Sequence, residues 1–143
     1  MLLEKILGEG GEARVFRLDK KRVAKVYRLP NDPEFEGDDF NLRAARLRVI
    51  VAQRKLPLFP RDLPPEVVAP LELVYETRSN LVVGYTMPIV EGATPLMKWS
   101  SITSREDGSV TDKRVVEVFR GLMQTVKAVH NRGTVIGDFN DTN

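Results

Sequence analysis

In the stretch "HNRGTVIGDFNDTN", Asp138 and Asn143 stand five positions apart. Both offer hard oxygen donors, suited to Mg²⁺ or to orienting a hydroxyl. They follow a strongly periodic segment, and a rigid helix can fix such a loop. At the other end of the chain, "LGEGGEARVF" gathers Gly8, Gly10 and Gly11 between two short apolar runs. Glycines in a turn let backbone N–H groups come close to a phosphate, because no Cβ intervenes. The third candidate is Lys25 in "RVAKVYR". Its ammonium could meet a phosphate while Val23, on the same strand face, packs against a flat apolar group such as a purine. Each stretch taken alone also has a plainer reading: a hairpin turn, an edge-strand lysine in solvent, and a surface turn rich in Asp and Asn.

Composition narrows the chemistry further. The 143 residues include no Cys and one His, His130, which excludes a thiol nucleophile, a disulfide framework and the Cys- or His-rich zinc sites. A 42% hydrophobic content is enough for one domain with a core. The formal charge of +2 is compatible with anionic ligands but too small to indicate nucleic acid. Glu4 and Lys5 precede any long apolar run, so neither a signal peptide nor a membrane span is expected, and a cytoplasmic location follows. The glycine turn is not a Walker-type loop, since no Gly-Lys-Ser/Thr follows and a strand comes next.

These candidates must be held by elements that the hydrophobic pattern predicts. The runs "LLEKILG", "ARVFRL" and "RVAKVYR" suggest an antiparallel meander. "FNLRAARLRVIVAQRKL" has no Gly or Pro and sets Leu47, Ile50 and Val51 at helical spacing, beside an Arg-rich face. "APLELVYE" and "NLVVGYTMPIV", joined by "TRSN", form a hairpin that brings the sheet to about five strands, with Pro88 at its exit. A last helix follows from Val115, Phe119, Leu122, Val126 and Val129, with Asp112 near its start and Gly133 past its end. The fold class is therefore α+β.

In this order, "LGEGGEARVF", "RVAKVY", "MPIVEG" and "HNRGTVIGDFNDTN" resemble the protein kinase fold, from its N-lobe through the hinge to the catalytic loop. The "YTMP" hinge, the lack of His-Arg before Asp138 and the Asn at 140 look more like divergent bacterial kinase-like proteins than the eukaryotic Ser/Thr kinases. The resemblance implies an N-lobe and hinge over 1–92 and a partial C-lobe over 93–143, with ATP and Mg²⁺ as cofactors. It implies that Gly8, Gly10 and Ala13 fill three glycine positions over the phosphates, with Gly11 in the same turn, and that Val15 and Val23 roof the adenine. Lys25 would pair with the phosphates. Met87 would close the back of the pocket, Pro88 offering a carbonyl and Val90 an N–H to the adenine edge. Asp138 would accept or orient the substrate hydroxyl proton, Asn143 would hold Mg²⁺, and His130 would take a structural position.

Two departures follow from the same resemblance. The helix after Lys25 should carry a Glu to pair with it, yet residues 41–56 contain no acid; Glu34, Glu36, Asp38 or Asp39 could substitute. The second metal-binding Asp and most of the C-lobe would lie beyond Asn143, so no useful phosphotransfer is expected from this chain alone. Its rivals are a pseudokinase-like module that works through a partner chain, and a small-molecule phosphotransferase of the same superfamily. The loops of the latter often begin His-x-Asp where this sequence has Ile136 and Gly137. Nucleic acid binding by the Arg-rich helix is disfavoured, because that helix lacks aromatics for stacking. The last helix's apolar stripe is expected to seek cover by self-association or by folding back.

Overall fold

The computed structural model describes residues 6–93, 96 and 110–136. Three strands come first, β1 (Ile6–Glu9), β2 (Ala13–Arg17) and β3 (Arg22–Tyr27). The β1–β2 turn closes where the Gly10 N–H donates to the Ala13 carbonyl at 3.0 Å. Asp19 makes the β2–β3 turn by accepting from the N–H groups of Lys21 and Arg22 at 2.7 and 2.8 Å, the local bonding that favours Asp in turns.

A helix, α1 (Asp39–Lys55), comes next. The Asp38 side chain caps it by accepting from the Asn41 N–H at 3.0 Å. Asp39 lies in its first turn and Arg54 and Lys55 in its last, the arrangement that complements the helix dipole. The strands β4 (Leu73–Tyr75) and β5 (Val82–Pro88) complete an antiparallel five-stranded sheet in the order β1-β2-β3-β5-β4. β5, ending at Pro88, is thus inserted between β3 and β4. It approaches β3 closely at Gly84, where an added Cβ would lie 2.1 Å from the Lys25 carbonyl oxygen.

The core is built mainly of small and β-branched side chains, Ala13, Val23, Ala24, Ala45, Ala52, Val82 and Val83, with Phe35 buried as well. This corrects the apolar stripe expected for α1. Leu47, Ile50 and Val51 face solvent, and the buried positions on the helix are Ala45 and Ala52. Small residues let the helix backbone lie close to its neighbours, and Gln53 fixes the fit. Its Nε2 donates to the Val82 carbonyl at 2.7 Å and its Oε1 accepts the Val82 N–H at 2.9 Å.

The described residues divide into two compact units. One comprises the chain up to Arg61 together with Val68–Ile89, and so holds the whole sheet and α1; the other comprises Asp62–Val67 and the chain from Val90 onward. The second unit contains α2 (Asp112–His130), capped by Thr111, whose side chain accepts from the Arg114 N–H. Gly133, with φ 70°, turns the chain away past its end, where its N–H donates to the His130 carbonyl at 2.9 Å. Arg132 pairs with Asp62 at 3.4 Å. Val129 is buried and Val115, Leu122 and Val126 are half-buried, but Phe119 is exposed together with Val116 and Met123, so Phe119 leaves the expected stripe. Among the described residues no helix is long and apolar enough to cross a membrane.

Candidate functional site

Directly opposed residues of paired strands share a face, so the sheet register decides which candidates come together. Gly8 pairs with Val15, Val15 with Lys25, and Lys25 with Tyr85. These four residues form one row across β1, β2, β3 and β5. In the next row on the same face, Val23 pairs with Arg17 on one side and Met87 on the other. The structure thereby gathers Gly8, Val15, Val23, Lys25 and Met87 on one face of the sheet. Pro88, opposite Arg22, belongs to the other face, as the alternation of strand side chains requires. Val90 is exposed and lies in the second unit. Asp138 and Asn143 lie outside the described residues.

The glycines of the β1–β2 turn are not demanded by the fold. Among the described residues, positive φ occurs at Gly37, Gly92, Gly133 and Asn80, and at none of Gly8, Gly10 and Gly11. A Cβ built on Gly8 or Gly11 meets nothing within 4 Å, and one on Gly10 comes no closer than 3.9 Å to the Ala13 carbonyl. The open surface left by three missing side chains therefore faces outward.

Two acids flank these glycines, and arginines hold both. Glu9 Oε1 accepts from Arg14 Nε at 2.6 Å and from Arg28 Nη2 at 2.9 Å. Glu12 Oε1 accepts from Arg48 Nη2, on α1, at 3.1 Å. Arg28 is 4% exposed and also donates from Nε to the Gly10 carbonyl at 2.9 Å. Its Nη1 sits 2.7 Å from Glu34 Oε2 and 3.5 Å from Asp32 Oδ1, in charge contact without hydrogen-bond alignment. Arg14 Nη1 donates to Asp32 at 2.7 Å, and this bond holds the largely buried Asp32 carboxyl below the usual carboxylate range. The same network raises the Arg14 pKa, first through Asp32 and then through Glu9.

The Lys25 side chain makes no hydrogen bond or ion pair among the described residues, and the four substitute acids are accounted for differently. Glu34 contacts Arg14 and Arg28, Asp38 caps α1, and neither Glu36 nor Asp39 reaches Lys25. On the Lys25 face, Tyr27 meets Tyr85 edge to face at 6.3 Å. Burial, followed by the charges of Tyr85 and Glu12, pushes the Tyr27 hydroxyl up to about 12, with Arg48 opposing. The helix thus presents a guanidinium, not a carboxylate, to this region. The Arg14–Arg28 network was missed in the sequence because its partners are far apart along the chain. The one local signal was a pair of acids in a glycine turn followed by Arg14 on β2 and Arg28 just past β3.

Among the described residues no group of three or more His, Asp or Glu side chains gathers to hold a metal ion. No protein-family model matches the chain, and no curated protein sequence matches it.

Proposed function

We propose that the chain is an ATP-binding, protein kinase-like domain of the divergent bacterial kind, with Lys25 as its phosphate-pairing cation. The observation that carries this reading is the row Gly8–Val15–Lys25: the open edge of the glycine turn and an ammonium with no ion pair among the described residues share one face of one sheet. Three further features support it. The turn glycines leave outward space that the fold does not use. The acids that would repel a polyphosphate are drawn to Arg14, Arg28 and Arg48. Val15, Val23 and Met87 supply an apolar neighbourhood for a purine on that same face.

Bound ATP would supply the transferable phosphoryl group. This chain's residues would supply part of the site, without useful transfer by the chain alone: turn N–H groups and Lys25 would bind the phosphates, and Met87, Pro88 and Val90 would receive the adenine. Asp138 would orient the acceptor hydroxyl and Asn143 would hold Mg²⁺. A specific observation favours a second reading, a nucleotide-binding interaction module without turnover: among the described residues no acid pairs with Lys25 to fix it for transfer. Titration with a fluorescent ATP analogue, with and without Mg²⁺, tests both. Binding that falls about tenfold or more in Lys25→Ala supports the first reading. Binding indifferent to both Lys25 and Mg²⁺ supports the second. No binding to the wild type overturns both.

A further inference from the structure

We propose that the solvent face of α1 docks an acidic amphipathic helix of a partner protein. On this helix Arg43, Leu47, Ile50 and Arg54 follow one another at i, i+4, i+7 and i+11, the spacing of a single face, with Phe40 and Val51 beside them. All six are exposed, Phe40 by 81%, Leu47 by 61% and Ile50 by 51%. The opposite face, through Ala45, Ala52 and Gln53, is already committed to the domain's own packing.

The occupant follows from charge. Arg43, Arg46, Arg54 and Lys55 form no ion pair among the described residues, whereas Arg14, Arg22, Arg28 and Arg48 all do. Asp39, one turn before Arg43, is the one acid of α1 and forms no ion pair among the described residues, and none follows from Phe40 to Leu56. Arg43 and Arg54 bracket the apolar centre, about 16 Å apart along the axis at 1.5 Å per residue. A partner helix with two apolar residues flanked by carboxylates three turns apart would match that row. Among the described residues a second copy supplies it only in part: α2 carries Asp112, Val116 and Phe119 at i, i+4 and i+7, but Met123 in place of a carboxylate at i+11, with Lys113, Arg120 and Lys127 beside them. A lipid surface suits a helix whose basic and apolar residues lie on separate faces, whereas Arg43 and Arg54 lie in line with Leu47 and Ile50. Nucleic acid has no use for Leu47, Ile50 and Val51, since its bases need aromatic platforms.

The test uses a labelled helical peptide with Glu at i and i+11 and Leu at i+4 and i+7, and a control of identical composition with both Glu on the opposite face. Fluorescence anisotropy should show saturable binding of the first peptide, and at least about tenfold weaker binding of the control. The double variant Arg43→Glu/Arg54→Glu should lose about tenfold for the Glu peptide and regain affinity for a Lys-bearing version. Because these side chains are exposed, the variants should keep the wild-type circular dichroism and melting temperature. Absence of peptide binding, or equal binding of the control, overturns the proposal. So does binding of phosphatidylserine vesicles or a single-stranded RNA that the double variant abolishes while the Glu peptide stays unbound.

Discussion

The buried Arg28 side chain donates its Nε–H to the carbonyl of Gly10 at 2.9 Å, so the tip of the glycine turn is held by a residue at the far end of β3. The Arg28 N–H also donates to the Glu12 carbonyl at 2.9 Å, which ties both sides of the turn to one residue. Turn geometry here is set by a guanidinium rather than by glycine conformation. That distinction separates what the turn needs to fold from what it offers to a ligand.

Replacing Arg28 by Leu should therefore cost about 1–3 kcal/mol, because the Gly10 carbonyl loses its donor and the largely buried Asp32 loses one of its two guanidinium neighbours, while Glu9 and Glu34 keep Arg14. Denaturant unfolding reads the loss. Amide exchange at Gly10, whose N–H donates to the Ala13 carbonyl, should accelerate beyond that of the β3–β5 ladder, and equal protection of that amide in both proteins would refute the clamp.

At Gly11, Ala should behave in the opposite way. Space is open and φ is not positive, so the substitution should leave stability unchanged or raise it by a few tenths of a kcal/mol, through loss of unfolded-chain freedom. Affinity for an ATP analogue should nevertheless fall, because the new methyl group occupies the surface that a phosphate would approach. Unaltered affinity would mean that the turn does not meet the nucleotide.

Asp32 makes a pH-dependent contribution. Its folded carboxyl titrates below the ordinary range because Arg14 donates to it, so it stabilises the fold above the unfolded value of about 4, and that stabilisation is lost as pH falls through the folded value. Asp32→Asn should be less stable than the wild type by about 1–2 kcal/mol at neutral pH. The gap should narrow below about pH 4, which melting curves between pH 3 and 7 would reveal. A gap that stays constant across that range would remove the ion pair as its cause.

Gly84→Ala should be severely destabilising, by about 3 kcal/mol or more. Its Cβ would meet the Lys25 carbonyl oxygen at 2.1 Å, and also the Lys25 carbonyl carbon and Val26 Cα, each at 3.0 Å. These are backbone atoms that cannot rotate aside. Retention of the wild-type melting temperature would show that β3 and β5 are further apart than described.

The elements were largely legible in the sequence because strand alternation and helical periodicity are local. "ARVFR" and "RVAKVY" became β2 and β3, Pro88 ended β5, and Gly133 turned the chain past α2. The side on which α1 packs was not legible. Periodicity draws attention to the largest apolar residues, Leu47, Ile50 and Val51, whereas close approach selected Ala45 and Ala52. On α2 the same attention to size places Phe119 in the stripe, whereas the buried position is Val129. In the candidate site, the shared face of Val23 and Lys25 could be read from period two, and their alignment with Gly8 and Met87 needed the register. The arginines that hold Glu9 and Glu12 could not be read at all, since nothing local says that Arg48 will meet a turn 36 positions earlier.

The insertion of β5 between β3 and β4 also governs how the chain must fold. The β1–β2–β3 meander can form from neighbouring segments, but the second edge of β3 stays unpaired until β5 has been made, since Val26 faces Gly84. Closing that distance delays the reward of the pairing and slows folding relative to the local hairpins. On the ribosome, the strand that bears Lys25 emerges as an open sheet edge, the kind of surface that recruits other strands. Any shorter version of this domain should therefore extend at least through Pro88, because ending after α1 would leave that edge permanently exposed.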